Sequence, residues 1–264
     1  MSDRVFVTDR ELARTFDGGS YPNAWEAVQQ YREATRYSSR HDVGSGATAS
    51  ALELPRSRLR TWIDDGGKPD VVRCIDRARA NGWLDLTYDD PVFNGLNALV
   101  ADVFSGGSIA KETYSPSFTI NHRGEDSHVF DALDLVGVEY KIIRETEQGR
   151  ATEARPSAHG TVLGRVLVTL GAPLGPKAEQ RLELPGYLDG APDDVKRLFV
   201  VCYLENRARE FETKATLQVH ENRNRSYHEQ MASLIADVTG ERVTAEDRGF
   251  TISAAAAREL GTVR

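Results

Sequence analysis

Lysine and cysteine are scarce in this chain, and long apolar runs are missing. Only six of the 33 basic residues are lysine, and the two cysteines, Cys74 and Cys202, lie far apart without neighbouring metal-ligand residues. The sequence therefore does not indicate a disulfide framework or a cysteine-based metal site. No run approaches the roughly 20 apolar residues that cross a bilayer, and the first residues lack the apolar stretch of a signal peptide. We expect a cytoplasmic protein without a membrane partner.

Charge is distributed unevenly along the 264 residues. The net charge of −7 argues at first sight against a polyanionic partner, because phosphate binding depends on Lys and Arg. Residues 21–83, however, contain ten basic and eight acidic residues, so the acidic surplus lies elsewhere. An acidic surplus with arginine in place of lysine is typical of a halophile with a GC-rich genome, and such a surface says little about the ligand. A hydrophobic fraction of 40% is enough for a buried core.

Helical periodicity dominates the first third of the chain. Residues 1–20 show no clear period, and we interpret them as a lead-in segment. Residues 21–88 are predicted to form an all-α domain, with one helix from 25 to about 37 and another over 69–81. Between these two helices, residues 47–63 contain two short helical pieces around a tight turn.

The tight turn and its two helical pieces resemble a helix-turn-helix, in which the second helix enters the major groove of DNA. Pro55 is expected in the first turn of the second piece, where proline is favoured. A guanidinium on that helix can bridge guanine O6 and N7 or hold a phosphate. The alternative is a solvated basic helix in a small bundle. The predicted DNA-binding residues of this domain are Arg56, Ser57, Arg58 and Arg60, with Arg73 and Arg77 on the helix that follows.

A sequence pattern repeats in the rest of the chain with a shift of 99 residues. The segments GLNALVADVFSGGSI, from Gly95, and DVKRLFVVCYLENRA, from Asp194, both place apolar residues at i, i+3, i+4, i+7 and i+8. Alternating strand-like segments and a further helix follow each of them. Helix, strands, helix, strands and helix, twice over, predict an α+β fold.

This repeat resembles a single-chain LAGLIDADG domain over residues 92–264, with repeat one at about 92–172 and repeat two at about 190–260. The resemblance implies an αββαββα pseudo-dimer whose two motif helices pack against each other and whose strands form a saddle over DNA. Bacterial sporulation regulators that join a degenerate LAGLIDADG domain to a helix-turn-helix look similar in plan, with the domains in the opposite order.

The motif positions that carry catalytic acids in this family fall on Gly106 and Glu205. Cleavage in the family needs both carboxylates to hold divalent metal ions, and glycine cannot ligate Mg²⁺ through a side chain. The departure at Gly106 implies a non-catalytic domain without a metal or other cofactor, and Asp102 lies a turn too early to replace it. Glu205 is expected to make a hydrogen bond or salt bridge at the helix interface. Gly106 and Gly107 are expected to end the helix before a strand.

Alternation along the predicted strands proposes a set of polar residues for a DNA-facing saddle. These residue types suit phosphate and base-edge contacts, although the outer face of any antiparallel sheet is polar. The set consists of Lys111, Thr113, Tyr114, Ser117, Thr119, Asn121, Lys141, Arg144, Lys214, Thr216 and Gln218.

The sequence thus predicts a sequence-specific binder of duplex DNA, a transcription regulator rather than an enzyme. Three alternatives stay open: a homing endonuclease that cuts duplex DNA with Mg²⁺, an RNA-binding maturase-like protein, and a protein-interaction module. The histidines show no metal spacing, and the glycine-rich segments lack the lysine of a phosphate-binding loop. The sequence gives no indication of the oligomeric state.

Overall fold

Helices and strands both contribute to the structure, a computed structural model that describes residues 4–120, 127–145, 147, 151–211 and 214–261. Helices account for 51% and strands for 13%, which confirms the predicted α+β class. Asn121 lies outside the described residues, and so does the side chain of Lys214. In the part of the chain that is described, no helix is long and apolar enough to cross a bilayer.

Five helices lie before residue 90 in the described residues. Helix α2 continues past the predicted end near Tyr37 until Asp42, whose left-handed conformation closes the last turn. Pro55 is the N-cap of α4, one position before the first turn in which the sequence placed it. The bounds are α1 (Asp9–Ala13), α2 (Ala24–His41), α3 (Ser45–Leu52), α4 (Arg56–Ile63) and α5 (Asp70–Ala80).

Helix α1 lies within the segment that the sequence indicated as a lead-in. The hydroxyl of Thr8 accepts a hydrogen bond from the backbone N–H of Glu11, and the Glu11 carboxylate accepts one from the backbone N–H of Thr8. Leu12 is fully buried, and Phe6 pairs with Leu86 in an isolated β-bridge. The first residues of the described chain are therefore part of the folded core.

Two units with the same order of elements follow: a helix, two strands, a helix, two strands and a helix. The first unit consists of α6 (Pro91–Ser105), β1 (Ser108–Ile109), β2 (Pro116–Thr119), α7 (His128–Leu135), β3 (Tyr140–Ile143), β4 (Glu153–Pro156) and α8 (Gly160–Thr169). The second consists of α9 (Asp193–Arg207), β5 (Arg209–Phe211), β6 (Lys214–His220), α10 (Arg225–Thr239), β7 (Val243–Glu246), β8 (Gly249–Ile252) and α11 (Ala254–Leu260). A short 3₁₀ helix, Lys177–Glu179, lies between the units.

Each unit contains one antiparallel four-stranded sheet, in the order β1-β2-β4-β3 and β5-β6-β8-β7. In the first sheet Phe118 lies opposite Ala154, and both are fully buried. In the second sheet Val219 lies opposite the buried Phe250. Because side chains alternate across a strand, the neighbours of these residues form the opposite, polar face of each sheet.

Helices α6 and α9 pack against each other along their length. The buried side chain of Asn97 donates a hydrogen bond to the carbonyl of Val195 (2.9 Å), and the hydroxyl of Tyr187 donates to Asn97 Oδ1 (2.6 Å). Since a buried amide without partners would be costly, these bonds favour one register of the two helices.

Two hydrophobic clusters form the interior of the described part of the chain. The larger one extends from Phe6 to Leu260 and includes α1, α5 and both α+β units. The smaller one lies between α2, α3 and α4, and its fully or nearly buried members are Ala34, Ala49, Leu59 and Trp62. The helix pair α3–α4 therefore has a small core with α2, and the partly buried Tyr21 and Tyr31 pack against both clusters.

Gly164 marks the closest approach between α8 and the loop before β2. A Cβ at this position would overlap the carbonyl oxygen of Tyr114, so the backbone of one of the two segments would have to shift. We expect Gly164→Ala to lower the free energy of unfolding by about 1–3 kcal/mol, the usual cost of overpacking. Urea denaturation measures this loss, and Gly186→Ala, where a Cβ meets open space, is the control. Equal stability of the two variants would contradict the close packing of α8.

Candidate nucleic-acid interface

Helices α3 and α4 are joined by a three-residue turn, 53–55, which is the length typical of a helix-turn-helix. Glu53 has a left-handed backbone (φ 53°) at the position that ends α3. Pro55 then fixes an extended conformation before α4 begins. The chain therefore reverses sharply between the two helices.

Contacts from α2 and α3 hold α4 in place. Leu59 is fully buried, and the ring of Trp62 lies edge-on to Tyr31 of α2, with centroids 5.5 Å apart. The carboxylate of Asp64, just after α4, accepts hydrogen bonds from the backbone N–H (3.2 Å) and hydroxyl (2.6 Å) of Ser45 at the start of α3. These bonds hold the pKa of Asp64 below its ordinary value. Both ends of the motif are thus fixed.

The outer face of α4 is polar and basic. Arg56 and Arg60 are both exposed and one helical turn apart, so their side chains lie on the same face. Ser57 and Thr61 are exposed beside them. The sequence did not predict Thr61 as a DNA-binding residue, because no local pattern distinguishes it from other threonines.

Arg58 differs from the other arginines of α4. Its guanidinium donates a hydrogen bond to Gln30 Oε1 of α2 (3.0 Å) and lies 4.3 Å from the centroid of the Tyr21 ring. The positive charge and the ring face attract each other. Arg58 therefore holds α4 against α2. Its side chain does not lie beside the exposed Arg56 and Arg60, although the sequence predicted that all three bind DNA.

Arg73 and Arg77 lie on α5, away from the exposed face of α4. Both line a cleft between α5 and α8, and Arg73 is ion-paired with Asp70. The six DNA-binding residues that the sequence predicted in this domain therefore lie in three places. Arg56, Ser57 and Arg60 lie on the outer face of α4, and Arg58 contacts α2. Arg73 and Arg77 line the cleft.

The polar face of the first sheet carries several of the predicted saddle residues. Thr119 of β2 lies on it, and so does the exposed Lys141 of β3, which pairs with Arg155 of β4. Ser117 has the same orientation but is buried, which does not agree with the solvent-facing position that the sequence predicted. Arg155 is a further cation that the sequence analysis missed, since a strand of four residues shows too little alternation.

Glu153 reduces the positive charge of the first sheet. Its carboxylate accepts from Ser117 and from Arg144, and Arg155 lies 3.1 Å away. Arg144 also pairs with Glu147 (3.3 Å). Its guanidinium is therefore held by carboxylates within the protein.

The polar face of the second sheet carries Thr216 and Gln218 of β6, as the alternation predicted. Exposed Arg209 of β5 pairs with Gln218, and Thr251 of β8 lies opposite it on the other side. The remaining predicted residues, Lys111, Thr113 and Tyr114, lie in the loop between β1 and β2.

The two positions where the family resemblance implied an acid pair lie at the end of α6 and in the last turn of α9. Gly106 is the C-cap of α6, and a Cβ built on it would lie 2.8 Å from the Cβ of Thr119, closer than real Cβ atoms approach. Glu205 of α9 makes the expected hydrogen bond, with Nδ1 of His128 at 2.6 Å from its carboxylate. Residue 106 therefore has no space for a carboxylate unless β2 shifts.

Asp102, one turn before the end of α6, is completely buried. One carboxylate oxygen accepts from Asn206 Nδ2 of α9 (2.7 Å), and the other accepts from the backbone N–H of Thr119 (3.2 Å). Burial raises the pKa of Asp102 from 3.8 to about 6, although His128, Asn206 and Lys177 oppose this shift. A carboxylate this enclosed is bonded within the protein and does not face solvent.

Lys177 closes the end of α6 from the loop between the two units. Its ammonium donates to the carbonyls of Val103 (2.6 Å) and Gly107 (2.9 Å), with those of Phe104 and Ser105 slightly farther away. Cations are favoured at the C-terminus of a helix, where carbonyls lack partners. Burial and the nearby Arg207 lower the pKa of Lys177 to about 7.

Stability should depend on pH through Asp102. Because its pKa is raised in the folded state, the protonated carboxyl contributes stability below about pH 4, and this contribution is lost as pH rises through about 6. The loss is about 3 kcal/mol, since a tenfold change in an equilibrium constant is about 1.4 kcal/mol. Urea denaturation of the wild type should show the decline between pH 4 and 6, and Asp102→Asn should remove it.

Asp89→Asn, at an exposed position, is the control for this titration. It should keep the pH dependence of the wild type. If the stability of Asp102→Asn declined between pH 4 and 6 as that of the wild type does, a group other than Asp102 would be responsible for the decline.

No protein-family model matches the chain, and no curated protein matches it significantly in sequence. In the described residues, no three His, Cys, Asp or Glu side chains are grouped so that they could hold a metal ion.

Proposed function

We propose that this protein binds duplex DNA sequence-specifically and acts as a transcription regulator. The observation that carries the proposal is the exposed basic face of α4, the second helix of a three-residue-turn helix pair. A helix of this kind fits the major groove, and an arginine there can make a bidentate contact to guanine. Arg56 and Arg60 are the base-reading residues of the proposal, with Ser57 and Thr61 beside them.

The charge distribution supports the N-terminal helices as the contact surface. Residues 21–83 carry a net charge of about +2, by the ten basic and eight acidic residues counted there, while the chain as a whole has −7. Phosphate neutralisation provides most of the non-specific affinity for DNA, so contact through this segment meets the least repulsion. A regulator of this kind would act in the cytoplasm, the location that the sequence predicts.

The α+β part serves this proposal as a non-catalytic, LAGLIDADG-like domain that adds affinity, orientation or dimerisation. The repeated helix and strand order and the packing of α6 on α9 support the resemblance. Gly106 has no space for a carboxylate, Asp102 is enclosed, and Glu205 is bonded to His128. These contacts indicate that Asp102 and Glu205 stabilise the fold, and they argue against the endonuclease alternative.

Selection from randomised duplex DNA, followed by sequencing of the bound fraction, tests the proposal. The selection is run with and without Mg²⁺ at several salt concentrations, because affinity for DNA is strongly salt-dependent. We expect an enriched, uncut motif under both conditions. Enriched cut ends that require Mg²⁺ would establish the endonuclease instead. Stronger binding to structured RNA than to duplex DNA at equal salt would favour the RNA-binding alternative.

A further inference from the structure

The cleft between α5 and α8 has a volume of about 720 Å³. Small-molecule sites in proteins have volumes of about 300–1,000 Å³ and combine an apolar lining with a few polar groups. Phe16 contributes to the wall from the loop after α1, so three separate parts of the chain meet here. We call this the α5–α8 cleft.

Positive charge remains in the α5–α8 cleft after its own ion pairs are formed. Four cations and two carboxylates line it; Asp70 pairs with Arg73, and Asp76 pairs with Lys68 at 2.6 Å. Arg77 and Arg165 are the other two cations. Neither forms an ion pair with a carboxylate among the residues that the structure describes, although Asp17 lies near enough to Arg165 to act on its pKa. The residues that line the cleft therefore leave two guanidinium groups without a direct carboxylate contact.

Arg165 is held rigidly. Its guanidinium carbon lies 3.7 Å from the centroid of the Phe16 ring and 3.9 Å from that of Tyr114. It also donates to the carbonyl of Thr15 and to the Thr15 hydroxyl (3.1 Å). Its Nε is buried and has no hydrogen-bond partner within the described chain. The two rings and Thr15 thus hold the guanidinium in position before any ligand binds.

The N-terminus of α8 adds positive potential at the same place. The helix begins at Gly160 after His159, which has a left-handed backbone (φ 57°), and no side chain in the described residues caps it. His159, Thr161 and Val162 line the cleft. The first-turn N–H groups of a helix lack internal partners and favour anions.

Apolar side chains fill the space between these charges. Phe16, Cys74, Ala80 and Val162 line the cleft together with the arginines. A free inorganic ion would leave these surfaces uncovered, whereas a ligand with an apolar body would bury them. Charge and shape together define a small organic molecule with one anionic group.

We propose that the α5–α8 cleft binds a small organic anion, a carboxylate or phosphate ester on an aromatic or compact apolar body, and that this ligand is an effector. The effector role rests on the proposed function; the binding site does not. Helix α5 packs against α2, and α2 holds α4 through Tyr31 and Gln30. These contacts connect a ligand on α5 to α4 through α2, and we expect the ligand to change the affinity of α4 for DNA.

Titration calorimetry on the full chain tests the site, with benzoate, phenyl phosphate and the uncharged benzyl alcohol as probes. We expect saturable binding of one anion per chain for benzoate or phenyl phosphate, and none for benzyl alcohol. Arg77→Gln should weaken it about tenfold, as expected for loss of a charge-assisted hydrogen bond. Arg242→Gln, an exposed arginine outside the cleft, should bind as the wild type does.

Failure of both anions to saturate, or equal affinity of Arg77→Gln and wild type, would overturn the site. Affinity for the selected duplex is then measured with the chain saturated by the anion that binds. We expect a change of about fivefold or more, the usual size of allosteric coupling. Unchanged DNA affinity would overturn the effector role alone. Anion binding by a chain that binds no DNA would overturn the proposed function and leave the site in place.

Discussion

A variant carrying both Arg56→Gln and Arg60→Gln should bind the selected duplex about 100-fold more weakly than the wild type. Each bidentate contact between arginine and guanine contributes about 1–3 kcal/mol, and glutamine cannot reproduce it. Affinity for unrelated duplex should fall much less, since only two cations are removed. Fluorescence anisotropy at one fixed salt concentration, with specific and unrelated duplexes, measures both changes.

Arg242→Gln is the matched control for this variant, because it removes an exposed arginine from the second α+β unit. It should retain the affinity of the wild type for the selected site. An equal loss for specific and unrelated DNA in the double variant would show that α4 contacts phosphates without reading bases.

Trp62→Ala should unfold the helix pair α3–α4 while the rest of the protein stays folded. The indole is one of the few large side chains in the small cluster with Ala34, Ala49 and Leu59, and its loss costs about 3–5 kcal/mol. The larger core, which includes α6 and α9, does not contain Trp62. Hydrogen exchange should therefore show loss of amide protection in α3, in α4 and in the part of α2 that carries Tyr31 and Ala34, and not elsewhere in the described chain.

Trp83→Ala provides the comparison, because Trp83 is fully buried in the larger core and its indole N–H donates to the carbonyl of Val136 (2.9 Å). That variant should lose protection in α5 and the first α+β unit. Equal loss throughout the protein in Trp62→Ala would contradict the separation of the two cores.

Local periodicity was sufficient to predict most of the secondary structure. The apolar stripe repeated from Gly95 and from Asp194 predicted α6 and α9, and the glycines after α6 predicted its end. Helix α1 was not predicted, because five residues are too few for a period to show. The signal that could have found α1 is its capping box, Thr8 followed three residues later by Glu11, whose reciprocal hydrogen bonds the structure shows.

The site was predicted less completely, because its geometry depends on contacts between distant residues. Helical spacing placed Arg56 and Arg60 together, but it could not show that Tyr21 and Gln30 hold Arg58 inward. Likewise, Lys177 lies some 70 residues from the carbonyls of α6 that it contacts. No local pattern in the sequence indicates the contacts of Arg58 with α2 and Tyr21, or those of Lys177 with α6.

Interference by guanine methylation on the selected duplex tests most directly the claim that α4 reads bases in the major groove. Methylation at N7 occupies the atom that an arginine would bridge together with O6. We predict that methylation of particular guanines abolishes binding by the wild type, and that Arg60→Gln becomes insensitive to methylation at one of them. Binding that tolerates methylation of every guanine, or an identical interference pattern in Arg60→Gln, would contradict the account.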